Sequence, residues 1–148
     1  MDSWFVERFE HGRSFFWLFA HAATFYSFVL RRLPAENLSG VLGRFRGELG
    51  HTLFHHEFTA PEIHFALQSL EGSDRIEGRV SNGMKRSIEA LWDHYRWFLE
   101  TDRSVWADEH DVSREMNDMP LEMLHHEVPA EAFRRHILIG LETRRRAA

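Results

Sequence analysis

Cysteine is absent from the 148 residues. That absence removes disulfides, thiolate metal ligands, iron–sulfur clusters and a cysteine nucleophile together, and it leaves the redox compartment open. Lysine is nearly absent too: the 18 basic residues are Lys85 and otherwise Arg. No basic excess exists, since the formal net charge is −5. The chain therefore has no global field to hold a polyanion, and no nucleic-acid partner is expected. Also missing is any apolar run of the roughly 20 residues that a membrane-spanning helix needs. The longest uncharged stretch, Phe15 to Leu30, holds His21, Thr24, Tyr26 and Ser27 and reads as a buried core helix. It is the one segment through which a membrane association would act. The amino end carries Asp2, Glu7 and Glu10 where a signal peptide would be basic, so no cleavable leader and a cytoplasmic location are expected.

What is present is aromatic and apolar: 13 Phe, 5 Trp and an apolar fraction of 43%. Such a composition fits a globular chain able to bury a core, and with no internal repeat or long linker it reads as one domain over 1–148. Helix signals dominate. The pattern predicts a first helix from Ser3 to Leu33 with a break at Gly12 and a stop at Pro34. Ser39 is a candidate N-cap for a second helix reaching Phe58. Thr59-Ala60-Pro61-Glu62 starts a third, ending at Gly72. Gly72 to Gly83 reads as a loop. From Met84 to Val105, Ile88, Leu91, Trp92, Tyr95, Phe98 and Leu99 form one apolar stripe. Asp108 to Met119 is polar, and Pro120 and Pro129 open the last two helices. The expected fold is all-α, an antiparallel bundle of four or five helices. Gly40, Gly43, Gly47 and Gly50 line one strip of the second helix and predict the close approach of another helix. Trp97 lies off the apolar stripe of its helix and marks an expected homodimer face.

The densest chemistry is in Gly47 to Glu57. Glu48, His51 and His55, three and four residues apart, project from one helix face. A carboxylate with imidazoles is a ligand set for iron, manganese or zinc. The same residues with Arg44 also form an ordinary solvated stripe, opposite Leu42, Phe45, Leu49 and Leu53. The Glu-x-x-His element recurs at Glu122/His125. Di-metal helical bundles carry this element on two of their helices. With 11 His in the chain, chance supplies about one such element.

Four elements in order resemble a family of predicted metal-dependent hydrolases with a ferritin-like helical fold. Gly12-Arg13-Ser14-Phe15-Phe16 looks like its opening motif. Glu48, His51, His55 and Phe58 match its Glu-x-x-His-x-x-x-His element, Asp93-His94-Tyr95 is similar to its acid-His-aromatic step, and Leu124-His125-His126-Glu127 with Glu131 loosely matches its last segment. Arg13 stands where the family would place its first acidic ligand, with Glu10 nearest, so a mononuclear site or a metal-free descendant of the fold fits as well. The resemblance implies a divalent metal, iron or zinc, on Glu48, His51 and His55, with His125 or His126 and Asp93 as further ligands, and hydrolytic or redox chemistry.

A reading from another class starts at His56-Glu57-Phe58-Thr59-Ala60-Pro61, which resembles the phospho-acceptor box of sensor histidine kinases. There His56 would be the nucleophile and Glu57 the proton acceptor of a phosphotransfer hairpin, in a non-enzymatic interaction module. A plain helix junction at Pro61 explains the same residues. His21 and His136 read as core or groove histidines, and His11, His64 and His110 as surface or helix-end residues.

Overall fold

A computed structural model describes residues 3–70, 76–77, 82–101 and 109–147. Its architecture corrects the all-α expectation: a four-stranded sheet lies between two layers of helices. The stretch read as one long helix is three strands, β1 (Trp4–His11), β2 (Ser14–His21) and β3 (Ser27–Arg31). Strand β4 (Ile76–Glu77) pairs parallel to β1, giving the order β3-β2-β1-β4. The bundle and the ferritin-like arrangement fall with this finding.

The physical reason lies in the apolar pattern. Alternate residues of the sheet enter different cores. Trp4, Val6, Trp17, Phe19, Phe28 and Leu30 face one side; Phe5, Phe16, Leu18, Ala20 and Val29 face the other. A strand buried on both faces is continuously apolar, and periodicity alone does not separate it from a buried helix. Aromatic residues suit the pleated surface, and the punctuation was at Gly12. His11 pairs with Ser14 across a two-residue turn in which Gly12 has φ +60°, the first central position of a type II′ hairpin turn, where Gly is favoured.

The first helical layer is α1 (Leu38–His55), α2 (Ala60–Gln68) and α5 (Pro129–Ala147). It contributes Val41, Phe45, Leu49, Leu53, Ala66, Phe133 and Ile137 to the core. Asn37, rather than Ser39, caps α1, its side chain accepting from the Gly40 N–H at 2.9 Å. Thr59 caps α2 in a capping box with Glu62, as the Thr-Ala-Pro-Glu signal predicts. The second layer holds α3 (Asn82–Thr101), with Ile88, Leu91, Trp92 and Tyr95 inward, and the apolar side of α4 (Glu109–Asn117). The segment after Pro120 is a single 3-10 turn, Glu122–Leu124. The expected Gly72–Gly83 loop falls mostly outside the described residues, as does the predicted helix end at Val105.

Helix α4, sited in the segment read only as polar, lies along the free edge of β3. The Ser27 N–H donates to Asn117 Oδ1 (2.9 Å), that of Val29 to Ser113 Oγ (3.2 Å) and that of Arg31 to Glu109 Oε1 (2.7 Å). Two residues of strand advance about 6.7 Å and four residues of helix about 6 Å, so the two repeats run in step. The helix thereby covers an edge that would otherwise template pairing with another chain.

The predicted close approach to the glycine strip is corrected as well. Among the described residues, a Cβ on Gly43 or Gly47 would meet nothing within 4 Å, and of the strip only Gly50 touches a second helix, at the Leu67 side chain (3.4 Å). Phe15 to Leu30 forms sheet core rather than a helix. Among the described residues no helix is long and apolar enough to cross a membrane.

Candidate metal centre

Helix α1 turns its apolar face to the sheet, leaving Glu48 half-buried and His51 exposed along its border with α4. The first turn of α4 brings His110 to the same point. Single ligand atoms of Glu48, His51 and His110 lie within 4.8 Å of one another. The His51 and His110 rings are 4.1 Å apart between centroids, and His110 Nε2 is 3.7 Å from Glu48 Oε2. Two of the predicted ligands thus meet a third that the sequence reading placed among surface residues.

The surroundings position these groups. Thr52, buried one turn beyond Glu48, sits 3.3 Å from His110 Nδ1. Arg44 reaches Glu48 Oε1 at 3.7 Å while its other nitrogens hold Glu36 at 2.7 and 2.8 Å. His55 does not complete the trio: its Nε2 is bonded to Asp111 Oδ1 at 2.9 Å, and its ring stands 5.9 Å from that of His110. It borders the cluster through the residue next to His110.

The remaining predicted ligands are elsewhere. Asp93 is exposed on α3 and paired with Arg96 at 2.8 Å. His125 and His126 are exposed and left-handed (φ 53° and 68°) after the 3-10 turn. Gly12 to Phe16, the opening motif of the ferritin-like resemblance, is a β-hairpin. Trp97 is 58% exposed.

His56 is buried, and both its ring nitrogens are engaged, Nδ1 with the Tyr26 hydroxyl at 3.2 Å and Nε2 with Asp118 Oδ1 at 2.8 Å. Burial pushes its pKa below 6.5, against the raising effect of Asp118. The phospho-acceptor-like box does not lie on one helix. His56 and the left-handed Glu57 (φ 63°) end α1, and Thr59 caps α2. That is the geometry of a helix junction.

His110 carried a faint signal. Glu109-His110-Asp111 opens α4 with two acids in its first turn, the expected start of a helix. Its nearness to Glu48 follows only from the docking of α4 on β3.

Fold and site together define an α/β/α layered protein with a carboxylate and two histidines gathered between two helices. Residues 1–132 match the family described as a domain of unknown function, DUF6933, and the chain belongs to that family. No curated protein matches the chain.

Proposed function

We propose that the protein binds a divalent transition metal, zinc or iron, through Glu48, His51 and His110. One observation carries the reading: three potential ligand atoms, from residues 48, 51 and 110 on two separate helices, lie within 4.8 Å. Two imidazoles and one carboxylate make a set used for catalytic zinc and for non-haem iron, and such a set leaves coordination positions open. A metal held this way lowers the pKa of bound water, which suits hydrolysis. The chain's own residues supply the orientation. With Thr52 Oγ1 accepting from His110 Nδ1–H, the lone pair of Nε2 is left toward Glu48. Arg44, 3.7 Å from Glu48 Oε1, restrains that oxygen. The bond of His55 to Asp111 steadies the α1–α4 border beside the ligands.

Protein purified without a histidine tag should carry zinc or iron by elemental analysis. His51→Ala and His110→Ala should each lower the stoichiometry. Because metal bound only by the folded state stabilises it, both should also reduce the metal-dependent rise in melting temperature. His64→Ala and His125→Ala, both exposed and outside the cluster, should do neither. Unchanged metal content in His110→Ala would sink the reading and leave the cluster a solvated helix border.

A further inference from the structure

A second surface, joined to Arg44 through its bond to the Arg31 carbonyl (3.3 Å), carries an independent inference. Where the β1–β2 hairpin meets the end of β3, Arg13, Arg31 and Arg32 line an open cavity of about 200 Å³ with Phe15, Leu33 and Pro34. Arg8 adds a guanidinium 5.1 Å from the Phe15 ring centroid and Arg32 lies 5.3 Å from the same ring, whereas that of Arg31 lies 5.6 Å from the Phe16 ring on the other face of the sheet. None of these four arginines forms an ion pair with a carboxylate among the described residues. Arg44, Arg96, Arg114, Arg134, Arg135 and Arg146 all do. Glu109 acts on Arg31 through space, but Arg8, Arg13 and Arg32 gather without an ion-paired carboxylate among the described residues, and such like charges in a chain of net charge −5 favour an anion from outside.

The wall of the cavity is held in place before any ligand arrives. Glu36, its side chain 6% exposed, takes the Trp17 Nε1–H at 3.1 Å, the Leu33 N–H at 3.2 Å and two bonds from Arg44. Its own carbonyl accepts from Arg32 Nε at 2.7 Å, fixing where that guanidinium points. Guanidinium forks match phosphoryl oxygens in pairs, and preorganised ones lose less entropy on binding. The volume suits a small ligand, and Phe15, Leu33 and Pro34 offer it an apolar side.

We infer that this cavity binds a small molecule bearing a phosphoryl group, such as a phosphate monoester or a diphosphate. The test is calorimetric titration of the full chain with pyrophosphate at physiological salt. A chelator is present, so that metal-bound pyrophosphate cannot imitate the result and the outcome is independent of the metal reading. Saturable binding is expected, weakened roughly tenfold or more in Arg13→Gln and in Arg32→Gln by loss of a charged hydrogen bond, and unchanged in Arg145→Gln. Arg13 lies in an exposed turn, so its variant keeps the test decisive if Arg32→Gln disturbs the Glu36 contact. Absence of saturation, equal binding of sulfate, or binding untouched by Arg13→Gln would overturn the inference. So would tighter binding of a single-stranded oligonucleotide at the same residues, which would assign the surface to a polymer.

Discussion

Gly47 lies exposed in the interior of α1. Its place in a strip with Gly40, Gly43 and Gly50 suggested a helix pressed against the backbone, yet a Cβ there meets open space. Glycine in a helix interior costs about 1 kcal/mol relative to alanine, and nothing at this site offsets it. Gly47→Ala should therefore stabilise the protein by roughly 0.5–1 kcal/mol, read as a higher urea midpoint at unchanged slope. A lower midpoint would mean that something contacts this face of α1. Gly140 is the contrasting case. A Cβ there would collide with the tip of the Phe65 ring, so the ring must move before any gain in helix propensity is felt.

At the scale of elements, the pairing of α4 with β3 is the contact on which the rest of the candidate metal centre depends. It joins residues 78 to 90 positions apart in the chain. Asn117 does the most there. It is fully buried, accepts from the Ser27 N–H and donates to the carbonyls of Ser27 (2.6 Å) and Ser113 (2.8 Å). Asn117→Ala would strand the backbone donor and acceptor of Ser27 without water. Each unsatisfied buried group costs about 1–3 kcal/mol, so a loss of roughly 3 kcal/mol is expected by denaturant unfolding. Loosening α4 should also weaken metal binding, since His110 rides on the same helix. A cost near zero would show that the helix does not seal the edge.

For the whole molecule, acid should destabilise in two steps with different origins. The neutral His56 ring is satisfied at both ends when Nε2–H donates to Asp118 and Nδ1 accepts from the Tyr26 hydroxyl. The groups facing it are Tyr26, Asp118, Arg114 and Arg134, and burial dominates, holding its pKa below 6.5. The unfolded chain therefore takes up this proton first, and stability falls as pH drops below about 6.5. Glu36 is shifted the same way by its hydrogen bonds to Arg44, with its pKa below 4.5. Its contribution is complete above 4.5 and is lost as the pH falls through the folded value. Melting temperature against pH should thus decline first in the range of His56 and again in the carboxylate range. His56→Gln should flatten the first decline and Glu36→Gln the second. A melting temperature constant from pH 7 to pH 5 would contradict the account of His56.

Features with local causes were legible along the chain. The caps and proline starts placed α2 and α5, the apolar stripe of Ile88, Leu91, Trp92 and Tyr95 located α3, and Glu48 and His51 were legible because a helix fixes residues three apart on one face. Tertiary structure decided what depends on partners distant in sequence. Phe15 to Leu30 became strands because helices cover both faces of the sheet, and an apolar run does not state how many neighbours it will have. His110, not His55, joined Glu48 and His51 because α4 docks where the free N–H groups of β3 meet its polar repeat. That match of two spacings exists only once strand and helix lie side by side.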